Sequence, residues 1–186
     1  MRIRKFLFIL ILVLLPISSF ANDPDLAVYW SHWGIGDGKD AEGFGARLGI
    51  PAFSDDTQIE LRAATSLDGR SNKTEPDIDV IPLEFGLAYK PSFEKFSPFF
   101  SAGAGFYKLD TIDTVKIEDE WGWYTAAGFE IELPWSCSVY AELYYRAVDA
   151  SIKGDLEPFD QYEAGVTTGD YDLSGIGANI GLNFTW

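Results

Sequence analysis

The chain has 186 residues, of which 14 are basic and 29 acidic, and its net charge at neutral pH is −15. A nucleic-acid partner is excluded, because a phosphate backbone binds to a basic surface. The single cysteine, Cys137, excludes an intrachain disulfide, and we interpret it as a bystander thiol. No run of about 18 apolar residues follows the N-terminal segment, which excludes a helical membrane protein.

Residues 1–21 have the three parts of a secretory signal peptide. They start with three basic residues, continue with an uncharged apolar run over 6–16, and end with small residues up to Ala21. A retained anchor helix is the alternative, but the apolar run is short for a membrane span. Cleavage would leave residues 22–186 as one domain with 11 basic and 29 acidic residues, a net charge of −18.

Eight extended segments follow, and most of them separate into an apolar and a polar face when every second residue is read. In the last segment, Ile176, Ile180 and Phe184 belong to an almost wholly apolar face, and the opposite face is small and polar. One such segment alone also fits a half-buried strand of a soluble protein. The predicted segments are 26–36, 43–50, 57–67, 79–90, 97–108, 121–133, 137–149 and 171–186.

The first segment is the exception to this two-face pattern. Its even-numbered residues include Val28 and Trp30, and its odd-numbered residues include Tyr29 and Trp33, so neither face is clean. The sequence therefore does not assign the register of this strand.

The connections between the segments alternate between short and long. The short ones each contain a proline, and the others are mostly longer, polar and acidic: 51–56, 91–96 and 134–136 against 37–42, 68–78, 109–120 and 150–170. This alternation is typical of outer-membrane barrels, whose short turns face the periplasm. The polar faces are rich in glycine, which suits a narrow lumen crowded by larger side chains. We therefore predict an all-β fold, an eight-stranded antiparallel up-and-down transmembrane β-barrel with its apolar faces against lipid.

Tryptophans lie at both ends of the predicted strands. Trp121 and Trp123 are at the long-loop end, and Trp135 and Trp186 are at the short-turn end. Amphipathic indole rings favour the two headgroup levels of a membrane, so we predict that these four residues form an aromatic girdle.

Three stretches of the chain resemble a known family. Residues 97–106 are similar to its proline-aromatic strand with two spaced glycines, and residues 122–130 with 141–146 are similar to its next hairpin. The family is that of the OmpA/OmpX-like and opacity-type eight-stranded outer-membrane barrels. The resemblance implies the outer membrane of a Gram-negative-type bacterium, and a C-terminal signal for the barrel-assembly machinery at Phe184 and Trp186, where tryptophan is a departure from the usual phenylalanine.

Charged residues cluster on the predicted lumen face. They are Arg47, Glu60, Arg62, Glu84, Glu130, Glu132, Glu142 and Arg146. One hypothesis is a proton or ion path. The favoured interpretation is a network of salt bridges and tyrosines that fills the interior, because eight strands leave just enough room for side chains. Glu142 and Arg146 are about 13 Å apart on one strand face, so we expect each to pair with a neighbouring strand.

The only histidine is His32, which follows Ser31 directly. Some small outer-membrane barrels are lipid A acyltransferases or deacylases that use histidine and serine. Adjacent residues of a strand point to opposite faces, so these two are not expected to form a nucleophile–base pair. We therefore predict no enzymatic activity, and we predict no cofactor. No calcium-loop spacing such as that of an EF-hand is present, so no specific metal site is predicted.

Most of the negative charge falls in the predicted long loops. The loops over 36–42, 68–79, 108–120 and 149–172 carry net charges of −2, −2, −3 and −6. These carboxylates could keep the loops solvated, share divalent cations with lipopolysaccharide phosphates, or bind a cationic surface partner. The predicted role is structural or surface-interactive, and the alternatives are a lipid A-modifying enzyme and a narrow pore.

Overall fold

A computed structural model describes residues 23–35, 40–67, 80–109, 116–117, 119–153 and 168–186. The predicted signal peptide over 1–21 and large parts of the acidic loops lie outside these residues. The described strands are β1 (Asp25–Trp33), β2 (Ala41–Ala52), β3 (Ser54–Leu67), β4 (Val80–Tyr89), β5 (Phe96–Leu109), β6 (Lys116–Ile117), β7 (Glu120–Leu133), β8 (Cys137–Ala147), β9 (Asp149–Lys153), β10 (Thr168–Asp172) and β11 (Gly175–Thr185).

Eight of these strands form one closed barrel in the order β1-β11-β8-β7-β5-β4-β3-β2. Every neighbouring pair is antiparallel, and β1 closes the barrel by pairing with β11 from Asp25↔Thr185 to Trp33↔Gly177. Closure gives every barrel strand a partner on both sides along most of its length, as a hydrocarbon environment requires. The predicted fold class is confirmed.

The loops contain structure that the sequence did not predict. β10, β9 and β6 form a separate three-stranded antiparallel sheet at the long-loop end. The predicted last strand over 171–186 is therefore two strands, because β10 ends at Asp172 and β11 begins at Gly175. This small sheet is polar and short, so it lacks the apolar alternation that reveals the barrel strands.

The structure assigns the register of β1. Its odd-numbered residues, such as Tyr29, Ser31 and Trp33, are buried in the lumen, whereas Val28 and Trp30 are exposed on the outer surface. The alternation was hidden in the sequence because aromatic residues occupy both faces of this strand.

Large apolar side chains cover the outside of the barrel. Phe44, Phe100, Leu143, Ile176 and Ile180 are among the exposed ones. Such a continuous apolar surface requires a partner, and a lipid bilayer supplies it. No helix in the described residues is long and apolar enough to span a membrane.

The pairing between β3 and β4 ends before either strand does. Their last pair at the long-loop end is Ala63↔Leu83, although β3 continues to Leu67 and β4 begins at Val80. Pro82 is the residue before Leu83, on the long-loop side of the last pair, and it has no backbone N–H to donate to β3. The barrel wall is therefore less tightly closed at this seam.

Candidate functional site

The lumen collects the charged side chains that the sequence placed on the inner face. All seven of the following are buried there: Arg47, Glu60, Arg62, Glu84, Glu130, Glu142 and Arg146. Glu132 differs, because it lies beside the β7–β8 turn and is exposed. The buried residues form three layers, each centred on one arginine, which we call the lower, middle and upper layers from the short-turn end upward.

The lower layer surrounds Arg47. Its Nη2 donates to Glu130 Oε1 at 2.7 Å, and Lys90 Nζ lies 3.0 Å from both Glu130 Oε2 and Asp25 Oδ2. Asp25 Oδ1 has no hydrogen-bond partner among the described residues, and Arg47 Nη2 is 4.0 Å from it. Neutral donors to this layer's carboxylates are Gln58, Ser138 and Asn183. Two cations thus hold two carboxylates at the bottom of the lumen.

The middle layer surrounds Arg62. This side chain binds Glu142 through two parallel hydrogen bonds, Nη1 to Oε1 at 2.8 Å and Nη2 to Oε2 at 3.0 Å. Its Nε donates to Glu60 Oε1, and Nη2 also donates to Ser101 Oγ at 2.9 Å. Tyr124 OH donates to the same Glu60 oxygen at 3.0 Å. One arginine therefore binds two buried carboxylates, and Arg47 Nε lies 3.8 Å from the other oxygen of Glu60 as a second cation.

The upper layer is a simpler ion pair. Arg146 Nε donates to Glu84 Oε1 at 2.7 Å, and Tyr107 OH donates to the same oxygen at 2.9 Å. The guanidinium carbon of Arg146 lies 4.7 Å from the Trp33 ring centre and 4.2 Å from the Tyr144 ring centre. These cation–π contacts leave little room for water beside the arginine.

Apolar side chains close the lumen above the upper layer. Trp33, Val80, Leu109, Val148 and Leu173 are all buried and pack together there. We call these five residues the outer cap. The lumen is thus polar through its three layers and apolar at its outer end.

Glycines on the lumen wall make room for the interior rings. A Cβ atom at Gly45 would overlap the Tyr29 ring, and one at Gly177 would overlap the Tyr144 ring. Each of these tyrosine rings therefore lies directly on the backbone of the neighbouring, paired strand, as the glycine-rich polar faces indicated.

The partners of Glu142 and Arg146 correct one expectation. Neither residue has its ion-pair partner on a strand next to β8; Glu142 binds Arg62 on β3, and Arg146 binds Glu84 on β4, although Asn179 on the neighbouring β11 donates to Glu142. Long side chains reach across the lumen because an eight-stranded barrel is narrow.

Several lumen residues were missed in the sequence. Asp25 lies on the strand whose register was ambiguous, and Lys90 follows the last residue of β4. Tyr107, Tyr124 and Tyr144 lie on the lumen face, but alternation gives no sign of their hydrogen bonds. Tyr140 is also buried in the lumen, and its hydroxyl has no hydrogen-bond partner among the described residues. Asn179, which donates to Glu142 Oε1, is recognisable only once Glu142 is placed.

His32 and Ser31 are separated by the barrel wall. Ser31 is buried in the lumen, with its hydroxyl 3.0 Å from Tyr144 OH. His32 lies on the outer surface, with Nε2 3.7 Å from Asp40 Oδ2 and Nδ1 3.8 Å from Glu42 Oε1. A serine–histidine pair is therefore not formed.

The four predicted girdle tryptophans are exposed on the outer surface. Trp121 and Trp123 lie at the long-loop end of β7, and Trp123 packs edge-on against Tyr145 at 5.7 Å. Trp135 lies in the β7–β8 turn, and Trp186 follows β11. A contact between these rings and headgroups stays a prediction, as does the assembly signal at Phe184 and Trp186.

Comparisons with known proteins give the family. A search of curated protein sequences found no match. Crystal structures of OprG from Pseudomonas aeruginosa and of the N-terminal β-barrel domain of OprF from the same organism are similar to this chain. OprG has a TM-score of 0.72 and 19% identity, covering 89% of this chain and 96% of its own. The OprF domain has a TM-score of 0.59 and 13% identity, covering 89% and 98%.

The solution structure of Escherichia coli outer membrane protein W is a further neighbour, with a TM-score of 0.53 and 15% identity, covering 90% of this chain and all of the other. These identities show a shared fold alone. The sequence profile described as "Outer membrane protein beta-barrel domain" matches residues 9–184, nearly the whole chain. The chain therefore belongs to the outer membrane protein beta-barrel domain family and is a small barrel protein of the outer membrane.

Proposed function

We propose that this chain is a closed, non-enzymatic barrel with a structural role in the outer membrane, and that its acidic external loops interact with molecules at the cell surface. The observation that carries the proposal is the filled lumen. Three arginine layers and the outer cap occupy the interior from the short-turn end to the long-loop end. An ion or solute would have to displace buried salt bridges in order to pass.

The position of the charges supports a filling role rather than an ion path. Each of the three lumen arginines donates to a carboxylate at 2.7 or 2.8 Å, so every lumen arginine is paired with an anion. Removing one partner of such a buried ion pair lowers the free energy of unfolding by several kcal/mol, which is on the order of the whole stability of a domain. A network that costs this much to open is suited to rigidity.

A non-enzymatic role is supported by the separation of Ser31 and His32. Covalent catalysis needs the nucleophile within hydrogen-bond reach of its base, at about 2.6–3.2 Å. Here the serine hydroxyl is in the lumen and the imidazole is on the outside. The lumen carboxylates are engaged with arginines, lysine or tyrosine hydroxyls, so they do not resemble a poised acid–base pair.

The external loops are the proposed interaction surface. Their sequence carries most of the net negative charge, and at the outer rim Asp40 and Glu42 already flank His32. Carboxylates in this position fit divalent cations shared with lipopolysaccharide phosphates, or a cationic surface partner. At the other end, the aromatic terminus at Phe184 and Trp186 fits recognition by the barrel-assembly machinery.

Planar-bilayer recording tests the closed lumen. The purified barrel should give no conductance steps at neutral pH, because the three layers fill its interior. A double variant, Arg62→Ala with Glu142→Ala, removes only the central pair, and it should also give no steps, because the lower layer, the upper layer and the outer cap still fill the lumen. Regular steps from the unaltered protein would contradict the proposal.

A second candidate function is favoured by the seam between β3 and β4. The unpaired ends of these strands lie at the level of the outer cap, because Val80 is both the first residue of β4 and a member of the outer cap. An apolar molecule could pass sideways between the outer cap and the outer leaflet. Hexadecane added to the bilayer should then shift the NMR signal of the Trp33 indole N–H. A variant with Thr65→Cys, Ile81→Cys and Cys137→Ser can form a disulfide across the seam, and this disulfide should abolish the shift. An unshifted signal would exclude this candidate.

A further inference from the structure

The lower and middle layers contain one more carboxylate than they contain cations. The two layers share Arg47, because its Nη2 donates to Glu130 and its Nε lies 3.8 Å from Glu60 Oε2. The upper layer is a neutral pair and does not balance this excess. Taken together, the lower and middle layers hold four carboxylates and three cations, a net charge of −1: Asp25, Glu60, Glu130 and Glu142 against Arg47, Arg62 and Lys90.

One oxygen of Asp25 receives no hydrogen bond from the described residues. Its Oδ2 accepts from Gln58 Nε2 at 2.8 Å and from Lys90 Nζ at 3.0 Å, whereas the buried Oδ1 has no such partner. Arg47 Nη2 lies 4.0 Å from Oδ1, which is too far for a hydrogen bond. Because an unpartnered buried carboxylate oxygen is costly, a ligand of Oδ1 would stabilise the lower layer.

Two amide oxygens belong to the same end of the lumen as Asp25 Oδ1. A Cβ atom at Gly49 would lie 2.7 Å from Asp25 Oδ1 and 2.8 Å from Gln58 Oε1, so both oxygens point into the space over this glycine. Asn183 faces the lumen from β11, diagonally across the β1–β11 pairing from Asp25. Its Oδ1 is also buried without a hydrogen-bond partner among the described residues. The lower layer thus presents three oxygen ligands from three strands.

This set of ligands fits a monovalent cation. Carboxylate and amide oxygens are the ligands that hard cations prefer in proteins. A divalent ion would exceed the single excess charge, and the described residues contain no group of three or more histidine, cysteine, aspartate or glutamate side chains that could hold a metal ion. A water molecule would satisfy Asp25 Oδ1 but would leave the net charge unchanged.

We propose that the lower layer binds one sodium ion through Asp25 Oδ1, Gln58 Oε1 and Asn183 Oδ1, and that this ion balances the fourth carboxylate. It enters from the short-turn end, where the Lys90 side chain is 19% exposed. The middle layer and the outer cap prevent further passage, so the ion has a structural role in a closed barrel. Sequence spacing did not reveal this site, because its oxygens come from three strands and the register of β1 was ambiguous.

Urea unfolding in lipid vesicles measures the binding. Sodium chloride would be exchanged for choline chloride at constant pH and constant total salt, since choline is too large for the site. Above the dissociation constant, each tenfold rise in sodium should lower the unfolding equilibrium constant of the unaltered barrel about tenfold. Asp25→Asn removes the excess charge and should abolish this dependence. Glu132→Gln is the matched control, because it removes an exposed carboxylate at the same end of the barrel and should keep the dependence.

Gly49→Ala separates a specific site from a general effect of charge. This variant keeps all four carboxylates and all three cations, but its methyl group would displace Asp25 Oδ1 and Gln58 Oε1. It should therefore fold, as shown by the gel shift between folded and boiled protein, and respond less to sodium than the unaltered barrel does. A full response in Gly49→Ala would mean that sodium acts without binding between these oxygens. Either that result or an unaltered barrel that unfolds equally in sodium and choline would overturn the proposal.

Discussion

Replacing Arg62 with alanine is expected to lower the free energy of unfolding of the barrel by about 3–5 kcal/mol, the usual cost of breaking a buried ion pair from one side. Arg62 holds both Glu142 and Glu60, and its side chain is almost completely buried. Removing it leaves Glu142 without a cation and leaves Glu60 with only Arg47, whose Nε lies 3.8 Å from Glu60 Oε2. Denaturant unfolding in lipid vesicles, followed by the gel shift between folded and boiled protein, measures this loss.

Lys90→Ala is the matched control for Arg62→Ala. Lys90 also bridges two carboxylates, Asp25 and Glu130, but it lies at the short-turn rim and is partly exposed. Water can replace it there, so the loss should be clearly smaller. Equal losses for the two variants, or a loss below about 1 kcal/mol for Arg62→Ala, would show that the middle layer is not the central support of the lumen.

Replacing Arg146 with alanine is the second large effect, and it is expected to be rescued by a second substitution. Arg146→Ala should cost about 3–5 kcal/mol, because Glu84 then remains charged and buried with only Tyr107 as its neutral donor. Adding Glu84→Gln removes that charge, so the double variant should be more stable than Arg146→Ala alone. A double-mutant cycle of unfolding free energies measures the coupling.

The same rescue should be incomplete in the middle layer. Glu142→Gln added to Arg62→Ala still leaves Glu60 without its closer arginine, with only Arg47 Nε 3.8 Å away, so only part of the loss should return. Strict additivity in the upper layer would mean that Arg146 stabilises the barrel through its ring contacts with Trp33 and Tyr144 rather than through the ion pair.

The sequence predicted the fold and most of the charged lumen residues because both follow from alternation. A strand places every second residue on one face, so Glu60 and Arg62 on β3 could be assigned to the same side from their spacing alone. The same rule failed for β1, where Tyr29 and Trp33 face the lumen and Trp30 faces outward. Aromatic residues suit both environments, so they carry no signal about the face.

The partners across the lumen could not be predicted. Alternation places Glu142 inside the barrel, but it says nothing about which of the opposing strands its side chain reaches. That choice depends on the closure and narrow width of the barrel, which bring β8 opposite β3. The left-handed conformations of Phe53 and Trp135 were also invisible, since the sequence places bulky rings where such turns usually contain glycine or asparagine.

The most direct test of the account is the environment of the outer face of two paired strands. Nitroxide labels at Leu143 on β8 and at Ile180 on β11, in a Cys137→Ser background, would be compared by their collision rates with oxygen and with a water-soluble nickel chelate. The account predicts that oxygen, which concentrates in lipid, relaxes both labels more strongly than the chelate does. Stronger relaxation by the chelate at both positions would mean that water covers these apolar faces, and it would contradict the membrane barrel with a filled lumen.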